Sequence, residues 1–118
     1  MAVKGGPITS DAVWEDAQAV GMDQLAPVIL TGPDTLGLPL DEMSPAVRAE
    51  LQQADLVISK GQANYYACSE LVHELPADII CLLRTKCSVA AESLGLDKPR
   101  ANVCVLLQSS APKRRQSE

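Results

Sequence analysis

Five consecutive residues, Lys60-Gly61-Gln62-Ala63-Asn64, put a cation, a backbone turn and two amides directly after an apolar run. Comparable groups follow other apolar runs. Gly5-Gly6 and then Ser10-Asp11 come after the opening AVK, Thr31-Gly32 after PVIL, and Arg84-Thr85-Lys86 after DIICLL. Together these residues suit a phosphorylated ligand with a divalent metal. Glycine lets the backbone approach phosphate oxygens, and amide N–H groups at a helix start favour an anion. Lysine supplies a compact positive charge for phosphoryl oxygens, and Asp is a hard oxygen ligand for Mg²⁺ or Mn²⁺.

Each residue also admits a plainer reading. Asp11 could cap or charge-stabilise the helix that begins near it. Lys60 could be a solvated strand end, Gly61 a turn, and Asn64 the N-cap of the next helix, a role compatible with touching a ligand. Arg84 and Lys86 could be surface cations. Trp14 and His73 read as partly buried residues on helices. No Ser-His-Asp arrangement, P-loop or dinucleotide fingerprint is present.

The elements that would position these residues follow from hydropathy. Pro27–Leu30, Asp55–Ser59, Asp78–Leu83 and Asn102–Leu107 are short, continuous apolar runs with polar or turn residues on both sides, the pattern of strands buried on both faces. The opening AVK is a fifth, weaker strand. Helical spacing covers residues 10–20, with Val13, Ala17 and Val20 on one face, and residues 65–75, which stop at Pro76. Ser44-Pro45 opens a third helix as N-cap and first helical residue, and a fourth, over 88–94, closes at Gly95. The loop 31–43 is expected at the surface. Strands alternating with helices predict an α/β fold with a parallel sheet and right-handed crossovers. In such a sheet ligands gather beyond the C-terminal strand ends, where the groups above fall.

Composition bounds the rest. The 118 residues can form one domain that buries roughly two-thirds of its unfolded surface. The 47% hydrophobic content is almost all aliphatic, which fits a covered parallel sheet. A net charge of −5 argues against a nucleic-acid surface, and Lys113, Arg114 and Arg115 read as part of a solvated, disordered tail over 111–118. No run approaches the ~18 apolar residues of a membrane helix, and MAVKGGPITSD lacks a signal peptide's apolar region. A cytoplasmic location is expected. Cys68, Cys81, Cys87 and Cys104 form no CxxC pair and are expected to be reduced, buried thiols, with Cys81 and Cys104 in the core.

Three blocks resemble the damage-control phosphatases, also called the ARMT-like metal-binding domain family. VKGGPITSDAVWEDA is similar to the family segment V-K/R-G-x-P-I/V-x-N-D-A-T-x-E-D-A. ADLVISKGQANYYACSE resembles A-D-L/V-I/V-I/L-A/S-K-G-Q-G/A-N-F/Y-E-x-L-S-E, the most specific of the three, and LLRTKCSVAAESLG resembles L-L-K/R-x-K-C-x-V/I-A/I. The resemblance implies a Rossmann-like three-layer α/β/α fold with a mainly parallel sheet of about five strands. It also implies hydrolysis of phosphomonoesters, of sugar phosphates or of damaged phosphometabolites, with Mn²⁺, Ni²⁺, Co²⁺ or Mg²⁺ as cofactor. Asp11 matches the third of three metal ligands and is the implied catalytic position. Lys60, Gly61 and Asn64 match the substrate loop, with Gln62 beside them, and Lys86 matches a phosphate-binding lysine.

Two departures stand out. Ser10 and Val13 replace the family's usual Asn and Thr. The family's Asp-Asn metal pair lies upstream of the first block, so residues 1–110 are expected to be the C-terminal part of a phosphatase domain, a fragment inactive alone. A second chain supplying the N-terminal part is the implied partner; the alternative is a non-catalytic α/β binding or interaction module. An in-frame Asp-Asn followed by Gly-Glu in the DNA before Met1 would favour the enzyme.

Overall fold

The computed structural model describes residues 1–7, 11–32 and 41–113. The chain forms two compact units, Met1–Gln53 and Ala54–Glu118, each with its own sheet. Among the described residues no helix is long and apolar enough to cross a membrane.

In the first unit, β1 (Ala2–Val3) pairs in parallel with β2 (Ile29–Leu30), with Val3 opposite Leu30. The ladder continues past β2, where the Thr31 N–H donates to the Val3 carbonyl at 2.8 Å. α1 covers Trp14–Ala19, shorter than expected, and Val20, placed on its inner face by spacing, is 76% exposed as the C-cap. Ser10, at the expected start, lies outside the described residues. A single 3₁₀ turn over Met22–Gln24 was not foreseen. α2 (Pro45–Gln53) begins as its sequence dictates. Proline at the first helical position loses no intrahelical bond, and the Ser44 hydroxyl accepts the Val47 N–H at 3.4 Å while donating to the Leu30 carbonyl at 2.7 Å. Val3, Ala17, Met43 and Val47 form the buried apolar set.

The second unit runs β3 (Leu56–Lys60), α3 (Gln62–Leu71), β4 (Asp78–Arg84), α4 (Ser88–Ser93) and β5 (Asn102–Leu107). β3 and β4 are parallel, with Lys60 opposite Leu82. β5 is antiparallel to β4, pairing Arg84 with Asn102 and Ile79 with Leu107, so this sheet is mixed where a parallel one was expected. The two connections do not differ in length, since 61–77 and 85–101 are 17 residues each; they differ in how they run. At 1.5 Å per residue, the ten residues of α3 run about 15 Å and, with the turns after them, return the chain to the start of β4. The six residues of α4 span only about 9 Å, less than half the roughly 23 Å of the seven-residue β4. Residues 94–101 do not run back along β4 either, and Thr85 binds Ala101 at the same sheet end, so the chain enters β5 beside the point where it left β4. α4 ends in a Schellman arrangement, with the Leu96 N–H on the Ala91 carbonyl at 2.9 Å and Gly95 at φ 67°.

Among the described residues only one face of this sheet is well covered. Ser59, Ile79, Cys81 and Leu83 are buried on the side that receives Cys68 and Leu71 of α3, and Ala90 and Ala91 of α4 are buried too. On the other face Leu56, Ile58, Leu82 and Leu106 are each more than 40% exposed. The expectation of strands buried on both faces is corrected accordingly. Cys104 lies on the open face and is exposed, as is Cys87, while Cys68 and Cys81 are buried free thiols. His73 is likewise exposed, because α3 ends at Leu71 and the chain turns there; its Nδ1 lies 3.0 Å from the Ser110 hydroxyl.

Candidate functional site

The loop after β3 is built by glycine. Gly61 has φ 104°, a region that side-chain-bearing residues rarely enter, and this lets the strand turn into α3 with no intervening linker. Its N–H extends the ladder to the Leu82 carbonyl at 2.9 Å, and its carbonyl accepts the Tyr65 N–H at 3.0 Å, the first bond of α3. The helix therefore begins at Gln62, three residues before its expected start. Asn64 sits in the first turn rather than at the N-cap, and its Nδ2 donates to the Lys60 carbonyl at 2.7 Å. That bond fixes the amide's orientation, because a carbonyl needs a donor. It leaves Asn64 Oδ1 as a buried acceptor with no hydrogen-bond donor among the described residues.

The segment after β4 meets this loop. Gln62 Oε1 accepts the Lys86 N–H at 2.8 Å, bridging the ends of two parallel strands. Thr85, wholly buried, donates its N–H to the Ala101 carbonyl at 2.9 Å and its hydroxyl to the Pro99 carbonyl at 3.1 Å. The same hydroxyl accepts the Ala101 N–H at 2.9 Å. Thr85 was not singled out from the sequence; its uncharged hydroxyl between the cations Arg84 and Lys86 in LLRTKC gave no signal of burial. Lys60, Gly61, Gln62, Asn64 and Lys86 are thus brought to one sheet end, with the Lys60 and Lys86 side chains exposed to solvent. Arg84 turns to the Asn102 side chain instead, donating to its Oδ1 at 3.1 Å.

Asp11 belongs to the first unit. It does not cap α1, whose N-cap is Val13; there the Asp16 carboxylate accepts the Val13 N–H at 3.0 Å. Asp11 Oδ2 lies 4.0 Å from the Lys4 ammonium, and Lys4 is itself only 5% exposed. Burial lowers the Lys4 pKa from its ordinary value, and the Asp11 charge partly restores it. Asp11 Oδ2 is buried with no hydrogen-bond donor among the described residues. A hard carboxylate oxygen without a donor suits a divalent cation such as Mg²⁺ or Mn²⁺. Among the described residues no three His, Cys, Asp or Glu side chains gather to complete a metal site, so Asp11 fits as one ligand and not as a full set.

Residues 1–101 match the family described as the damage-control phosphatase ARMT1-like domain. An uncharacterized protein, MJ0202, of Methanocaldococcus jannaschii is 41% identical over 95 residues, 80% of this chain and 31% of that protein. Damage-control phosphatase PH1575 of Pyrococcus horikoshii is 37% identical over 105 residues, 89% of this chain and 35% of that one. The crystal structure of a DUF89 family protein from Pyrococcus horikoshii superposes with a TM-score of 0.78 at 36% identity, covering 91% of this chain and 36% of its own. The chain therefore spans about a third of the length of these relatives.

Proposed function

Because this chain belongs to the damage-control phosphatase ARMT1-like domain family, we propose that it carries the phosphate-binding part of a metal-dependent phosphatase acting on phosphomonoesters of small metabolites. The observation that carries this reading is the pairing of two cationic strand ends at the start of α3, where Gln62 Oε1 holds the Lys86 N–H at 2.8 Å. Lys60 and Lys86 neutralise phosphoryl oxygens as charge builds on the transferring group. Gly61 allows close backbone approach, the first-turn N–H groups of α3 face the anion, and Gln62 belongs to the same wall. Asn64 Oδ1 would repel a phosphate oxygen but suits a donor, such as a hydroxyl of a sugar phosphate.

Asp11 is the proposed metal ligand, for Mn²⁺, Ni²⁺, Co²⁺ or Mg²⁺. Such an ion, when bound, polarises a phosphoryl oxygen or activates water. The three-layer α/β/α arrangement, residues 1–110 as part of a phosphatase domain, a cytoplasmic setting without nucleic-acid or membrane partners, and a further chain completing the metal site belong to the same proposal. So does inactivity of these 118 residues alone. The second reading, a non-catalytic interaction module, is favoured by the apolar open face of the β3–β4–β5 sheet.

Titration with inorganic phosphate tests the binding part. Removing a charged contact in Lys60→Ala or Lys86→Ala is expected to weaken binding roughly tenfold. Affinity unchanged in both variants would sink the phosphate site. In Mn²⁺ or Co²⁺ the chain alone is expected to show no turnover of a generic phosphomonoester. Robust turnover abolished by Asp11→Ala would overturn the inactivity proposal.

A further inference from the structure

We infer that Gln62 is a positioning residue: its side-chain carbonyl holds the Lys86 backbone in place, so that its effect on a bound phosphate is exerted through Lys86. What Lys86 then does rests on the phosphate-site reading above; the bond itself does not.

The geometry gives the Lys86 segment two supports. β4 ends at Arg84, so the Lys86 N–H has passed beyond the strand and needs another acceptor. Gln62 Oε1 supplies it at 2.8 Å. Gln62 is itself fixed as the first residue of α3, behind Gly61, whose N–H is bound to the Leu82 carbonyl of β4 at 2.9 Å. The link therefore leaves β4 at Leu82, crosses to the loop after β3 and returns to β4's extension at Lys86. On the other flank, Thr85 is tied to Pro99 and Ala101 by three hydrogen bonds and is wholly buried. Successive residues are thus pinned from opposite sides, and the Lys86 side chain springs from a backbone with little freedom to move.

The residue type follows from the same requirement. An aliphatic side chain of this size has no acceptor. A carboxylate would accept the N–H but add negative charge where an anion is to bind. Asparagine is one methylene shorter, about 1.5 Å, and would leave the N–H beyond hydrogen-bond range. Glutamine is the neutral acceptor of sufficient reach.

Amide exchange and phosphate titration of the ¹⁵N-labelled chain test this. In Gln62→Leu the Lys86 amide is expected to exchange roughly three- to tenfold faster, the worth of one hydrogen bond, and phosphate affinity to fall severalfold. In Gln62→Glu, which keeps the acceptor, Lys86 exchange is expected to stay near that of the unmodified chain. That rescue separates a role through Oε1 from direct contact through Nε2, which Glu also lacks. Unchanged Lys86 exchange in Gln62→Leu would overturn the inference. So would lost protection with unaltered phosphate affinity, since the bond would then be structural only. If the unmodified chain takes up no phosphate, the phosphate-site reading fails, while the exchange rates still decide whether Gln62 holds Lys86.

Discussion

The four cysteines separate by where the sheet is covered. Burial raises the Cys68 thiol pKa, with Ser59 and Cys81 hydrogen bonds acting against it, and burial together with Cys68 pushes Cys81 up to about 11. Both stay protonated at neutral pH and are sterically shielded. Cys87 and Cys104 are exposed. A thiol reagent at pH 7.5 is therefore expected to label two cysteines in the native chain and all four after unfolding; native labelling of Cys81, or silence at Cys104, would contradict this. The pH consequence has a definite sign. A thiol whose folded pKa lies above the ordinary 9.0 favours the native state below that value, and the contribution is lost as pH rises through about 11. Cys104 also shows a limit of reading residues from the chain. In NVCVLL every neighbour is apolar, and a continuous run cannot say whether one face or two are covered. The candidate site was more legible as a group, because Lys60, Gly61 and Asn64 fall within five consecutive residues of one specific block. The partners of Gln62 and Thr85 were not, since they lie 24 and 16 residues away.

Among the elements, the difference between the two sheet faces sets the cost of substitution. Ile79 is fully buried on the helix-covered side, whereas Ile58 is 66% exposed. Ile79→Ala is expected to destabilise by about 2–5 kcal/mol and Ile58→Ala by under about 1 kcal/mol, as read from urea unfolding midpoints. Equal losses would mean that Ile58 is covered in solution. The strands were the most legible elements: all five occur, with ends moved by a few residues. Helix starts were less so. Helical spacing placed the start of α3 at Tyr65, but the positive φ of Gly61 lets the helix begin directly after the strand, which hydropathy does not reveal. The direction of β5 was hidden for a different reason. Apolar runs carry no polarity, and the connections 61–77 and 85–101 are equally long, so neither hydropathy nor length distinguishes a parallel from an antiparallel return.

Across the whole molecule, alternating strands and helices disclosed the α/β class, while the division at Gln53–Ala54 left no mark in composition. In the second unit the segment after β5 is fastened to the start of β4. The Ser109 N–H donates to Asp78 Oδ1 at 2.8 Å, the Ser109 hydroxyl to the Leu75 carbonyl, and the Lys113 ammonium to Asp78 Oδ2 at 3.4 Å. The Ser109 bond, assisted by Lys113, lowers the Asp78 pKa from its ordinary 3.8. A carboxyl with a lowered folded pKa stabilises fully above the ordinary value, and the gain disappears as pH falls through the folded one. Asp78→Asn is thus expected to lower the unfolding midpoint at pH 7 and to match the unsubstituted chain in strong acid. A difference that persists undiminished in acid would contradict the charge's role. The antiparallel course of β5 has a practical consequence. By reversing, it carries the end of β5, and Ser109 after it, to the end of the sheet where β4 begins, about 20 Å along the strand from Lys86. A fluorophore or surface tether attached at the exposed position 110 would be anchored at that far end, leaving the lysine rim clear for solution measurements.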